Sequence, residues 1–419
     1  MRNSDQVRAR ALELLGDLTV IQKYDGPWIL PRLLILTLPF VAFPRFGSVK
    51  IIDVIGFICA VYFLAQQANM PRMIAQRLML FFLAFSLIAI WRNYSDDISL
   101  LSYWDEGLFD RRWYPFTIWF QTSIYLLATA FLATRFSLDK RLLGYFVRAN
   151  FIYFFVMVAI SLSPFAVDFS DDGFFGTFPE KGPFGMYVAL VVIVILHFRA
   201  NVNRRDKFYW YLTLLLAIYL TIISQSTRGL ILLMVFIPLY FVLSISRTRI
   251  SAIAAVIAIM VCAIIFISES GSLFGGKIEE YSSFFMNADK SASAIGRYAG
   301  LILAPNLISE YPIFGIGYGN YIYYRDSFEF ASAFPLIERD YINNTYLQIL
   351  VETGWLGFST FLFFLATAIK VAGKNNIPLI FAMLVLMMTE VPNFYFGWLL
   401  FFLLFIPSLS KLPQSQARV

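Results

Sequence analysis

From Pro27 to Ser410 the chain is a succession of apolar runs, most of them about as long as a bilayer is thick, with short charged or Gly- and Pro-bearing breaks between them. The runs fall near 27–43, 50–67, 76–92, 115–134, 141–164, 182–199, 208–225, 228–246, 250–268, 343–370, 376–391 and 394–410. A helix needs roughly 20 apolar residues to cross the hydrocarbon core, and fewer when its flanking residues snorkel. The pattern therefore predicts an all-α fold, a polytopic membrane helix bundle of about 12 transmembrane helices. The last two runs are short and parted only by Pro392 and Asn393, so a re-entrant hairpin is an alternative there. The break at Ser224–Gly229 is equally tight, so the spans number about eleven to thirteen.

Composition agrees. Hydrophobic residues make up 59% of the chain and charged residues 14%, and the mean hydropathy is +0.70. A soluble domain carries about a quarter charged residues, so this chain has too little polar surface to cover a water-exposed exterior. The net charge of +6 does not call for nucleic acid, because its placement follows membrane topology. With the N-terminus cytoplasmic, Arg72–Arg77, Arg135–Arg141, Arg199–Lys207, Arg247–Arg249 and Lys370–Lys374 all lie on the cytoplasmic side. The opposite side receives Asp96, Asp97, Asp105, Glu106, Asp110, Asp168, Asp171 and Asp172, and one long loop at 269–342. Only Arg45 and Lys50, flanking the first outer loop, dissent.

Four regions follow from this reading. Residues 1–26 form a cytoplasmic amphipathic segment, with Val7, Ala11, Leu14, Leu15, Leu18 and Ile21 on one helical face. Residues 27–268 hold transmembrane helices one to nine, 269–342 form a large extracytoplasmic loop, and 343–419 hold the last three helices and a cytoplasmic tail. The loop contains an amphipathic stretch, Ala299–Leu307, and a glycine-rich turn, Gly315–Gly319.

The chemistry has few candidate carriers. The two cysteines, Cys59 and Cys262, lie inside apolar runs, and His197 is the one histidine, so a metal site is not expected. Nor is any cofactor. Arg148 within a span could neutralise a carboxylate on a neighbouring helix. Arg111 and Arg112, Arg228 and Arg297 stand at the outer side, where arginines either snorkel or bind a phosphate headgroup through their rigid fork of donors. Asn344, Gln348 and Glu352 recur every four residues and share one helix face. A polar stripe descending into lipid is costly, so it should face protein or a water-filled cleft.

Four strings, FGTFPEKGPFG at 175–185, SQSTRGLILL at 224–233, SAIGRYAGLILAPNLISEYPIFGIGYGNY at 293–321 and NNTYLQILVETGWLGF at 343–358, carry a family resemblance. In their order, and with the long loop between them, the chain resembles the O-antigen ligase and O-antigen polymerase superfamily of bacterial membrane glycosyltransferases. The resemblance implies a multi-pass protein of the bacterial cytoplasmic (inner) membrane with its active site facing the periplasm. It implies undecaprenyl pyrophosphate-linked oligosaccharides as substrates, without metal or nucleotide sugar, and membrane lipid and a chain-length regulator protein as candidate partners.

By the same resemblance Arg228 and Arg297 would hold the pyrophosphate, and Asn344 and Glu352 match polar positions of the span-ten motif. Ligases of this kind carry a histidine immediately before that asparagine. Here the position is Asn343, whose amide cannot take up a proton, and His197 lies at the cytoplasmic side of span six. The departure points to polymerisation. If a base is used, Asp340 and Glu338 are the nearest carboxylates and Tyr341 a weaker choice; the alternative is that departure of the pyrophosphate drives the reaction through an oxocarbenium-like state without a strong base. Asn343, Gln348, Arg111 and Arg112 would complete the substrate site. A ligase acting on lipid A core and a non-enzymatic lipid-linked oligosaccharide transporter are the alternatives. Transport fits less well, because the polar strings cluster at the outer face and not at the midplane. A metal-dependent polyprenyl-sugar transferase would need acidic residues in the first outer loop, Pro44–Ser48, which has none.

Overall fold

A computed structural model describes residues 29–37, 45–46, 49–66, 74–94, 114–135, 140–163, 174, 181–198, 204–224, 226–244, 292–321, 324, 342, 344–372 and 377–389. The described chain is helical except for a two-residue antiparallel ladder, Arg45–Phe46 against Val49–Lys50. The helices are α1 (Ile29–Thr37), α2 (Ile51–Gln66), α3 (Ile74–Tyr94), α4 (Tyr114–Arg135), α5 (Lys140–Ser161), α6 (Lys181–His197), α7 (Lys207–Ser224), α8 (Thr227–Ser244), α9 (Ala292–Glu310), α10 (Thr345–Ala372) and α11 (Ile377–Thr389). All but α9 coincide with apolar runs, and α9 extends the amphipathic stretch at 299–307 in both directions. Among the described residues, Leu143–Ser161, Lys207–Ser224 and Thr345–Thr367 are long and apolar enough to cross a membrane. The expected spans near 250–268 and 394–410 and the N-terminal amphipathic segment lie outside the described residues, as does most of 269–342.

Helix α6 is apolar on every side, which is the pattern of a helix surrounded by others. It is buried accordingly, from Phe184 to Ile195, and packs on α7 and α8. Helix α7 does the opposite. Its Phe208, Tyr211, Leu215, Ile218 and Ile222 are each at least half exposed and form one outward apolar stripe, which suits lipid and not water. Further pairings join α2 to α4, α3 to α10, α5 to α7, and α8 to α11.

Two polar contacts fasten the middle of the bundle. Tyr187 OH on α6 donates to Asn150 Oδ1 on α5 at 2.6 Å, while Asn150 Nδ2 donates to Phe146 O at 2.9 Å. Tyr187→Phe leaves a buried acceptor without its donor. We expect a loss of about 1–2 kcal/mol, measurable as a lower unfolding midpoint in detergent. The second contact answers the charge on Arg148: its Nε stands 3.5 Å from Asp206 Oδ1, on a short 3₁₀ turn, Arg204–Asp206, leading into α7.

Candidate functional site

The strings singled out in the sequence meet in two places. The first is the junction of α6 with the α7–α8 turn. Ser226 caps α8: its Oγ accepts from Gly229 N at 3.3 Å and donates to Gly182 O at 3.2 Å. Ser is a preferred N-cap because its side chain satisfies an amide that the first turn leaves open. A Cβ built on Gly229 would stand 2.5 Å from Gly185 O, and one on Gly185 would fall on the Ser226 side chain. Only glycines let α6 and α8 come this close. Upstream, Phe174 N donates to Ile223 O at 3.0 Å, and Phe174 meets Phe184 edge-on with ring centroids 5.5 Å apart.

Arg228 follows that cap as the second residue of α8. Its guanidinium lies over the start of α6, where a Cβ on Gly182 would be 3.6 Å from Nη1 and 3.7 Å from Cζ. The N-termini of α6 and α8 thus stand side by side beside a half-buried arginine. Helix N-termini present unpaired amides and positive potential, an environment that favours negative charge.

The second meeting place lies around α10. Asn344 caps it, with Oδ1 accepting from Leu347 N at 3.0 Å. Gln348 and Glu352 then descend one face, 2% and 1% exposed, and face protein as the stripe requires. Gln348 Nε2 donates to Glu352 Oε1 at 3.0 Å. The expected continuous span is broken two residues beyond Glu352, at Gly354, whose φ of 63° and ψ of −173° are not helical. The segment 311–321, directly after α9, fills that break. Ile316 N donates to Val351 O at 3.0 Å and Gly317 N to Glu352 O at 2.9 Å, while Trp355 N donates to Pro312 O at 2.8 Å. Gly315, Gly317 and Gly319 all have positive φ, which winds this strap so that its amides turn to α10. The backbone N–H groups of Gly319 and Tyr321 face the Glu352 carboxyl. Among the described residues, Glu352 Oε2 and Gln348 Oε1 still lack a hydrogen bond of good geometry.

Other elements hold the strap from behind. A hydrogen bond of 3.2 Å joins Tyr318 OH to Thr122 Oγ1 on α4, and Phe314 stacks on Phe85 of α3 at 5.6 Å. Burial first, and the neighbouring Glu352 second, hold the Tyr318 phenol protonated well above its ordinary range. Helix α9 packs along α10. A Cβ on its Gly300 would stand 3.4 Å from Ile342 Cγ2, two residues before the α10 cap. Arg297 lies three residues before Gly300 in the same helix. Arg111, Arg112, Glu338, Asp340, Tyr341, Asn343 and the Arg297 side chain lie outside the described residues. Among those described, no three His, Cys, Asp or Glu side chains gather as a metal site would require.

The broken helix and its strap were not legible as such. The alternating glycines at 315, 317 and 319, with a further glycine inside the span at 354, are the signal that could have found them.

The apolar outward face of α7, the wholly buried α6 and the long apolar helices define a helical membrane protein. Among the described residues, the polar strings singled out in the sequence meet at two helix-capping junctions. Residues 212–362 match a family model described as O-Antigen ligase, so this stretch is similar to that family. The matched residues include Arg228, Arg297, the strap and the start of α10. No curated protein matches the chain.

Proposed function

We propose that the protein joins lipid-linked oligosaccharide repeat units, passing a growing glycan from undecaprenyl pyrophosphate to a hydroxyl of an incoming lipid-linked unit. The reading rests on one observation above others: the matched family segment begins in α7 and ends in α10, so it takes in both anion-suited arginine positions and the capped start of α10. In this reading Arg228 and the N-terminus of α8 bind the pyrophosphate and stabilise the charge that develops as it leaves. Arg297, on the helix that leads to the start of α10, supplies the second fork. Asn344 orients the sugar there with Asn343, and Asp340, Glu338 or Tyr341 assists the attacking hydroxyl. Arg111 and Arg112 extend the positive rim. Active-site residues then face the periplasm from the inner membrane, and the large loop at 269–342 forms the roof.

The asparagine at 343, in place of a basic imidazole, favours polymerisation. A ligase that delivers finished glycan to lipid A core is the second reading, favoured by the description of the matching family. One paired assay separates them. The purified protein in proteoliposomes is offered two lipid-linked repeat units, or one unit and a lipid A core acceptor, each with and without EDTA. We expect longer lipid-linked glycan from the first pairing, none from the second, and no effect of the chelator. Product only on the core acceptor would make it a ligase, and product in neither would remove the transferase reading.

A further inference from the structure

We propose that Glu352 is a positioning residue: from inside the break in α10 it clamps the strap 311–321, and the strap sets the stand of α9 and of Arg297 over the transfer site. The part that concerns Arg297 rests on the transferase reading above. The clamp itself does not.

The argument starts from cost. A carboxyl 1% exposed inside a helix bundle must be held by donors, or it destabilises the fold. The sources of those donors are unusual. Gln348 gives one from the same helix face at 3.0 Å, and the strap amides of Gly319 and Tyr321 face the carboxyl, whose Oε2 has no hydrogen bond of good geometry among the described residues. The Glu352 main-chain carbonyl takes a further strap amide, from Gly317, at 2.9 Å. One residue therefore bonds the strap through its backbone and turns its carboxyl to the strap's amides. The backbone part exists because Gly354 ends the helix, freeing carbonyls that a continuous helix would occupy.

The strap in turn has little independence from α9. Tyr311 N donates to Leu307 O at 2.9 Å and Gly315 N to Tyr311 O at 3.1 Å, so the end of α9 runs into the strap without a hinge. Leu307 and Ala304 of α9, Ile316 and Tyr321 of the strap, and Ile342 and Val351 beside and within α10 share one buried apolar cluster. Freeing the strap at Glu352 loosens the same cluster on which α9 rests. Glu352 is itself 1% exposed, so in this reading it acts on the glycan through the strap.

The test reads the clamp and the reaction separately. Full-length protein, the Glu352→Gln variant and the Glu352→Asp variant are compared by amide hydrogen exchange in nanodiscs. In Glu352→Gln, an amide group that also carries donors replaces an acceptor among facing N–H groups. We expect exchange across 311–321 to quicken at least tenfold, with peptides from α6 to α8 unchanged. The Asp variant, which keeps a carboxyl on a shorter arm, should fall between. Transfer activity should drop in the same order. It should return when Ile313→Cys and Leu356→Cys, in a background without Cys59 and Cys262, are oxidised to fasten the strap at the neighbouring backbone contact, where Leu356 N donates to Ile313 O at 3.3 Å. Strap exchange equal to the parent in both Glu352 variants would overturn the clamp. So would transfer lost with strap exchange unchanged, which would mark Glu352 as a substrate contact. If the parent protein shows no transfer while the exchange result holds, the transferase reading fails and the clamp stands.

Discussion

Arg228→Ala is expected to lower glycan transfer by about 100- to 1,000-fold while the protein still inserts and folds. The magnitude is that of removing one preorganised donor aimed at charge that grows in the transition state. The structural cost should be small, because Arg228 is half buried at the second position of α8 and the cap there belongs to Ser226. Arg228→Lys is the informative companion. It keeps a positive charge near the α6 and α8 N-termini and loses the planar fork, so activity should recover only in part, to within about tenfold of the parent. The measurement is the initial rate with a labelled lipid-linked repeat unit, at matched protein density in proteoliposomes. Full activity in the alanine variant would remove Arg228 from the site.

The second large effect concerns folding. Gly354 has φ 63° and ψ −173°, a region that side chains avoid, and a Cβ there would be driven into the Ile313 carbonyl. Gly354→Ala therefore has two ways to relieve itself, both damaging. It can keep the break and carry strain of about 1–3 kcal/mol, or it can close the break and expel the strap. Expulsion gives up the hydrogen bonds from Ile316, Gly317 and Trp355. Each buried group so stranded costs about 1–3 kcal/mol. We expect the folded yield in detergent to fall sharply and the unfolding midpoint to drop more than for any other single change discussed. Thr367→Ala, which removes an exposed hydroxyl bonded to Phe363 O at 2.8 Å, should stay within about 0.5 kcal/mol of the parent. Equal midpoints for the two variants would refute this account of the break.

Why some of this was legible in the residues and some was not follows from the physics of each feature. Helix positions are read from apolar length alone, so α4, α7 and α8 appear in the structure within a residue or two of where hydropathy puts them. A carboxylate partner for Arg148 was legible as an option on a neighbouring helix, since a cation within a helix run is costly unless it is paired. Which carboxylate was not, because Asp206 reaches it only through a 3₁₀ turn. The burial of Gln348 and Glu352 follows from their spacing and from the cost of polar groups in lipid. Their binding to the strap does not, because it depends on backbone amides, which every residue type shares. The helix reading of 343–370 ran through Gly354 for the same reason: a glycine in an apolar run is tolerated, and only the facing strap makes it a break. For the site, the motif order marked the 175–185 and 224–233 strings without saying that Gly182 and Gly185 would meet the α8 cap, because that meeting rests on the close approach of Gly185, Ser226 and Gly229.

The all-round burial of α6 has a consequence for how the bundle assembles. In water an apolar helix is driven inward, but in a bilayer the surrounding tails are as oily as leucine, so no such force selects its place. What distinguishes the centre from the rim for α6 is shape and address. The paired notch at Gly185 and Gly229 admits α8 at backbone distance, and the Tyr187 hydroxyl finds one acceptor on α5. The middle of this protein is reached by recognition between helices, and oiliness alone would leave α6 equally at home on the outside.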